Sequence, residues 1–496
     1  MIFVLLLPAF FLMHNYNELF GFIPGRQVLA DAIIIYFLLL VSYLIIAKIS
    51  GSNIKSALIV FALSSFILLF GPIHSLFQII SFKSILGTYK IFLPLCCILL
   101  IILVRKIIRS NSIPSRTILY LNVVMICLVS TEIIVMIGRK IEFDKTNNLI
   151  YPQKPLCGKY VSKKIPDSIK PDIYFLVFDE YTNSKTLKKI WNFNNDSITD
   201  WLAAHDFYVV PNSRANYSFT PYSISSTFNM DYIYDVKKSM NATIPLNILQ
   251  GIQSSSDNET FCILHKENYN IRFLAPFRNS IEDNNLEHYF DDLIDDQIYR
   301  QTLPGSIEAD ILWHFTSGKW AMINDTARFK KNLQKRFESI QRTVREVKAT
   351  ANTNERKPQF VYGHFLITHG PHIFDSTGAF NPDKIIPDYP MFYTYPEQII
   401  CANKVMEDII SYIRLHNKPN TIIIVEGDHG FRQIHGSGAD MYLPNFSAVY
   451  FPDKNYSQLY GSISPLNMFR MIFNHYFYQN FPLLKDSGIV VKENKS

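Results

Sequence analysis

The sequence predicts an α/β protein in two parts. An amino-terminal bundle of about five transmembrane helices covers residues 1–138, a connector follows at 139–170, and an α/β domain occupies 171–496. Three observations carry this reading. Long uncharged apolar stretches are confined to the first 138 residues. Beyond Pro171, short apolar runs of strand length alternate with helical patterns, as in a sheet with crossover helices. Two of those runs, Ile173 to Phe178 and Thr421 to Val425, lead directly into acidic or imidazole side chains. The carboxyl ends of parallel strands are where open α/β sheets keep their sites.

The spans come first. Val28 to Ala47, Ala57 to Ile80, Tyr89 to Val104 and Ile118 to Ile137 lie near or above the ~20 residues that cross a bilayer, the third being somewhat short. Met1 to Met13 is a further apolar stretch without the basic flank or small-residue cleavage site of a signal peptide, and is read as the first span. Lys48 and Lys55 flank the loop between the second and third spans. Arg105, Lys106, Arg109 and Arg116 crowd the loop between the fourth and fifth. Both loops are expected in the cytoplasm. Five spans then place everything after Arg139-Lys140 outside, in an integral, multi-pass protein of the cell membrane with an extracytoplasmic domain. Much of the net charge of +6 belongs to this topology signal, so no nucleic-acid partner is expected. Asp31 and Glu132 sit inside or near span ends, and interfacial placement is the preferred reading over a lipid or proton path. Of six cysteines, Cys157, Cys262 and Cys401 lie outside the spans, enough for one bridge.

The outer domain follows in order. The connector is polar, rich in Lys and Pro, and without a sustained period. A strand is expected at Ile173 to Phe178, a helix over Ser184 to His205, a strand near Phe207 to Val210 and a long polar helical region around Ala327 to Thr350. Phe360 to Ile367 reads as a strand. A helix near Pro396 to Leu415 carries Val405, Ile409, Ile410 and Ile413 at helical spacing and is ended by Asn417-Lys418-Pro419-Asn420. Strands at 421–425 and Ser447 to Phe451 come next, then an amphipathic helix behind Ser464-Pro465.

Four clusters sit at or near these strand ends: Asp179-Glu180; Thr220-Pro221-Tyr222-Ser223; His364 with His369 and His372; and Asp428-His429 with His435. Singly, an Asp-Glu pair is a solvated strand end and Thr-Pro is turn chemistry. Together they outline a site. Carboxylates and an imidazole from Glu180, Asp428 and His429 suit a divalent cation. A cation lowers the pKa of an adjacent alcohol as it does that of water, so Thr220 is the candidate nucleophile for phosphoryl or sulfuryl transfer. His369 and His435 are candidates to meet charge on the transferred group.

Four segments carry a resemblance: Phe178-Asp179-Glu180-Tyr181, Asn216 through Ser223, His364 through Pro371, and Gly427-Asp428-His429-Gly430. With the apolar first part, they resemble the membrane-anchored sulfatase-like proteins of the alkaline phosphatase superfamily, which include phosphoethanolamine transferases and lipoteichoic acid synthases. The resemblance implies an alkaline-phosphatase/sulfatase-like α/β sandwich with zinc, or else manganese, held by Glu180, Thr220, Asp428 and His429. Asp179 is an additional ligand where two consecutive acids are used. It implies Thr220 as ligand and nucleophile, and His369 and His435 as substrate-phosphate or second-metal residues; Ser223 and His364 are further candidates for binding substrate. The formylglycine pattern Cys-x-Pro-Ser-Arg is absent around Thr220, which favours phosphoryl transfer. The expected activity moves a phospho-alcohol group from a membrane phospholipid donor, through Thr220, to an envelope glycan or lipid acceptor. The alternatives are a phosphate or sulfate ester hydrolase of the same superfamily and an inactive module for assembling envelope polysaccharide.

Overall fold

The computed structural model describes residues 1–18, 20, 23, 25–80, 89–150, 155–233, 251, 254–255, 257–277, 297–307, 320–352, 357–375, 377–380, 382, 391–433 and 438–491. The chain divides into two compact units: Met1–Asp144 with Asp292–Arg328, and Lys145–Asp291 with Phe329–Ser496.

The first unit is built on α1 (Phe3–Glu18), α2 (Gly25–Ser50), α3 (Asn53–Leu68), α4 (Phe70–Ile80), α5 (Tyr89–Arg109) and α6 (Ser115–Ile150). Among the described residues, three segments are long and apolar enough to cross a membrane: Gly25–Ser50, Ile91–Arg109 and Ser115–Ile141. The expected span from Ala57 to Ile80 is instead two helices. Pro72 has no N–H to offer the Leu68 carbonyl, and the Gly71 N–H is spent on the Gln301 carbonyl at 2.9 Å. Helix therefore breaks at Leu69. α1, at 16 residues, is shorter than a full crossing. Glu132 accepts from Asn17 Nδ2 at 2.8 Å and pairs with His14 Nδ1 at 2.9 Å. α6 continues to Ile150, into the stretch expected to be an irregular connector.

The second unit is organised by one sheet, ordered β2-β6-β5-β1-β4-β3. Its strands are β1 (Asp172–Phe178), β2 (Tyr208–Val209), β3 (Asn270–Leu274), β4 (Gln359–Phe365), β5 (Thr421–Glu426) and β6 (Ser447–Tyr450). β3, β4, β1 and β5 run parallel, whereas β6 is antiparallel to β5 and to β2. All seven residues of β1 are buried, which explains the unbroken apolar run: a central parallel strand is covered on both faces. Tyr174, Leu176 and Phe178 pack into one layer with Leu187, Leu202, Leu333, Ile340 and Ile409. Ile173, Phe175 and Val177 pack into the other with Phe228, Phe261, Phe360, Phe469 and Ile472.

The covering helices are α7 (Ser184–Trp191), α8 (Asp196–Ala204), α9 (Thr220–Asn229), α10 (Glu259–Lys266), α11 (Trp320–Ala351, of which 329–351 belong to this unit), α12 (Met391–His416) and α13 (Pro465–Tyr476). The single helix expected over Ser184 to His205 is divided because Asn192 takes a left-handed conformation at φ 50° and caps α7, a position asparagine tolerates. Cys157 and Cys262 form a disulfide, and Cys401 is a buried thiol.

Candidate metal centre

Register brings distant residues to one edge. Phe178 aligns with Phe365 of β4, and Val177 with Glu426 of β5. The residues leaving β1, β4 and β5 therefore emerge side by side: Asp179-Glu180, the segment Leu366 to His372, and Asp428-His429.

Local backbone features hold these side chains. Gly427 passes so close to Tyr181 that a Cβ there would lie 2.1 Å from the Tyr181 carbonyl oxygen. Only glycine allows β5 to deliver Asp428 at this point. Glu180 sits at φ 62°, a left-handed conformation that costs a non-glycine residue on the order of 1–3 kcal/mol. It is held there by its N–H on Asp428 Oδ1 at 3.0 Å and by the Tyr395 hydroxyl on its carbonyl at 2.5 Å. Thr220 opens α9, with Pro221 in its first turn, and Ser223 Oγ ties that turn to the Asp428 carbonyl at 2.5 Å.

Thr220 Oγ1 lies 3.1 Å from His429 Nε2. The same nitrogen is 3.4 Å from Asp428 Oδ2 and 3.9 Å from Asp179 Oδ1. His429 Nδ1 faces the Gly430 carbonyl at 2.8 Å, an arrangement that puts the ring proton on Nδ1 and leaves Nε2 as a lone pair. Asp179 Oδ1 and Asp428 Oδ2 are buried without a hydrogen-bond partner. Asp179, Asp428 and His429 offer ligand atoms within 4.8 Å of one another. One imidazole lone pair and two orphaned carboxylate oxygens converge, and that donor set fits a divalent cation.

The neighbouring acids diverge. Burial alone would raise the Asp179 carboxyl, but His369, the hydrogen bond from His364 and His429 outweigh it and hold the group well below the ordinary range. Burial dominates at Glu180 and pushes its carboxyl up, with His369 and His429 offsetting only part. Glu180 lies outside the three-residue cluster, its two oxygens held by Gln433 Nε2 at 2.9 and 3.1 Å.

His364 stands behind Asp179: its Nε2 is 3.2 Å from Asp179 Oδ2 and its Nδ1 2.6 Å from the Tyr362 hydroxyl. His369 is half-buried, with Nδ1 on the Gly370 carbonyl at 2.6 Å. His372 is buried against Thr394 Oγ1 at 2.7 Å. Burial, then the Arg336 charge, depress its pKa to about 3. His435 lies outside the described residues.

Besides Gln433 and Tyr395, two further contributors were not read from the sequence. Arg336, fully buried, donates from Nη2 to the carbonyls of Leu366 and His369 at 2.7 and 2.5 Å. Thr368 Oγ1 donates to the Asp179 carbonyl. Arg336 did leave a signal: it falls three residues after Leu333 and four before Ile340, on the buried stripe of a charged helix.

The sulfatase family model matches residues 193–463, a range that includes Thr220, His369 and Asp428-His429 but begins after Asp179-Glu180. No curated protein matches the sequence. Among solved structures, the chain is similar to the zinc complex of the periplasmic domain of EptC from Escherichia coli: 11% identity, 64% of this chain, 84% of that chain, TM-score 0.37. It is also similar to the integral membrane protein lipooligosaccharide phosphoethanolamine transferase A from Neisseria meningitidis, at 11% identity over 95% of both chains with TM-score 0.37. At such values no substrate or residue role is transferred.

Proposed function

The chain belongs to the sulfatase family of enzymes, and from that premise we propose that it is a metal-dependent transferase. It moves a phospho-alcohol group of phosphoethanolamine or phosphoglycerol type from a membrane phospholipid to an envelope glycan or lipid. The observation that carries this reading is the Thr220 hydroxyl, 3.1 Å from His429 Nε2 beside two orphaned carboxylate oxygens.

Asp179, Asp428 and His429 are the residues to hold the cation, with Thr220 beside them. A zinc or manganese ion there supplies positive charge that lowers the pKa of the Thr220 hydroxyl and offsets charge on the phosphoryl oxygens. Thr220 Oγ forms a bond to phosphorus as the bond to the diacylglycerol oxygen breaks, and diacylglycerol leaves carrying the proton that Thr220 gives up. In the second half, an acceptor hydroxyl displaces Thr220 Oγ and its proton restores the threonine. The amino terminus of α9 adds a favourable dipole for the anionic group, and the half-buried His369 imidazole suits contact with a phosphoryl oxygen.

The Cys157–Cys262 disulfide supports an extracytoplasmic setting for this unit, because such bonds persist in oxidising compartments. The three membrane-length helices support a donor drawn from the bilayer.

The test is mass spectrometry of the Thr220 peptide after detergent-purified protein is incubated with phospholipids and divalent metal but no acceptor. A phospho-alcohol adduct on Thr220 is expected and identifies the donor head group. An unmodified peptide from metal-loaded protein counts against the transferase. Ester hydrolysis is the second reading, favoured by the family match itself. Turnover that releases free phospho-alcohol at the same rate with and without acceptor would select it.

A further inference from the structure

Glu180 poses a problem that the three-residue cluster does not solve. Its carboxylate is 1% exposed, and a buried carboxylate is costly unless donors or a cation face it. The Gln433 amide is such a donor, at 2.9 and 3.1 Å from the two oxygens. Gln433 lies four residues after His429, on the loop that follows Asp428-His429. It also borders the His369 loop, for a Cβ at Gly370 would come within 3.5 Å of Gln433 Cδ. One side chain thus joins the segments leaving β1, β4 and β5.

The amide chemistry matters. A lysine or arginine here would neutralise Glu180 as well as orient it. A neutral amide orients the carboxylate and leaves its negative charge and remaining lone pairs for a cation. Outer partners of this kind fix metal ligands, and their loss costs about 10–100-fold in metal affinity. Resting on the cation site assigned to Asp179, Asp428 and His429, for which the family resemblance already implies Glu180 as a ligand, we propose that Gln433 is a positioning residue that holds the Glu180 carboxylate for that cation.

The test is metal affinity, measured by calorimetric or chelator-competition titration of the full chain in detergent with zinc and manganese. Wild type, Gln433→Met, Glu180→Gln and the double variant are compared, with metal-free thermal midpoints alongside. Gln433→Met is expected to weaken binding about tenfold or more, while adding it to Glu180→Gln changes affinity little. Unchanged or tighter binding in Gln433→Met overturns the proposal, and so do fully additive losses, which would make the residue structural only. Gln433→Ser takes its place if Met lowers the metal-free midpoint. Asp428→Asn separates the two levels: if it binds metal as wild type does, the cation site itself has failed.

Discussion

Apolar side chains of the same kinds play opposite parts in the two units. In the helical unit Leu29 and Phe37 are 63% and 64% exposed along α2, whereas Leu176 and Phe178 of β1 are wholly buried. The first arrangement suits a hydrocarbon solvent, where nothing is gained by turning leucine inward. The second suits water, where burial of apolar surface drives folding. The difference teaches where charge can sit. In the sheet unit the apolar strands are sealed on both faces, so buried acids such as Asp179, Glu180 and Asp428 collect where the strands end. In the helical unit the part-buried polar tie of Glu132 with His14 and Asn17 joins helices and brings together one carboxylate rather than several.

The largest expected effect tests the chemical half of that contrast. Asp428→Asn should lower metal content and reduce turnover by about three orders of magnitude or more, with fold intact by circular dichroism. Loss of His14 or Glu132 should leave both near wild type. Equal damage from the two sets would remove the distinction.

Next is packing. Leu176→Ala should destabilise the sheet unit by about 2–5 kcal/mol. Leu29→Ala in detergent should change stability by no more than about 0.5 kcal/mol. Parallel denaturation curves measure both, and a large loss at Leu29 would mean that this face packs against protein.

A smaller effect sharpens the picture of the site's edge. Arg336→Met leaves the Leu366 and His369 carbonyls without their donor, at a cost of about 1–3 kcal/mol. Turnover should fall further than substrate affinity if the His369 loop loosens, and a steady-state split of kcat and KM reads this directly.

The smallest is the pH response of His372. Its imidazole binds a proton near pH 6.5 when unfolded and near 3 in the folded chain. Between those values the unfolded state carries more protons, so this contribution is intact above pH 6.5 and is lost as pH falls toward 3. His372→Gln should flatten the fall in thermal midpoint from pH 6.5 to 4. An identical slope in the variant would mean that the ring is solvated.

Much was legible because it is local. The apolar lengths of the amino-terminal third, the buried strand runs and the adjacent pairs Asp179-Glu180 and Asp428-His429 follow from composition and period alone. β3 was missed although Ile271 and Phe273 alternate with polar neighbours, because five residues of period two make a weak signal beside long helices. The break at Leu69 was missed because a run of apolar residues conceals the effect of Gly71 and Pro72 on helix hydrogen bonds.

Composition and periodicity by themselves determined a membrane-type helical part, a parallel α/β part and a set of chemical residue types at strand ends. Only the tertiary structure decided that Asp179, Asp428 and His429 bring ligand-type atoms within 4.8 Å of one another, that Gln433 and Arg336 support their surroundings, and that Cys157 pairs with Cys262. The physical reason is separation along the chain. Glu180 and Asp428 are 248 positions apart, and their meeting depends on strand register and on a left-handed turn at Glu180. Neither is encoded in the spacing of nearby residues.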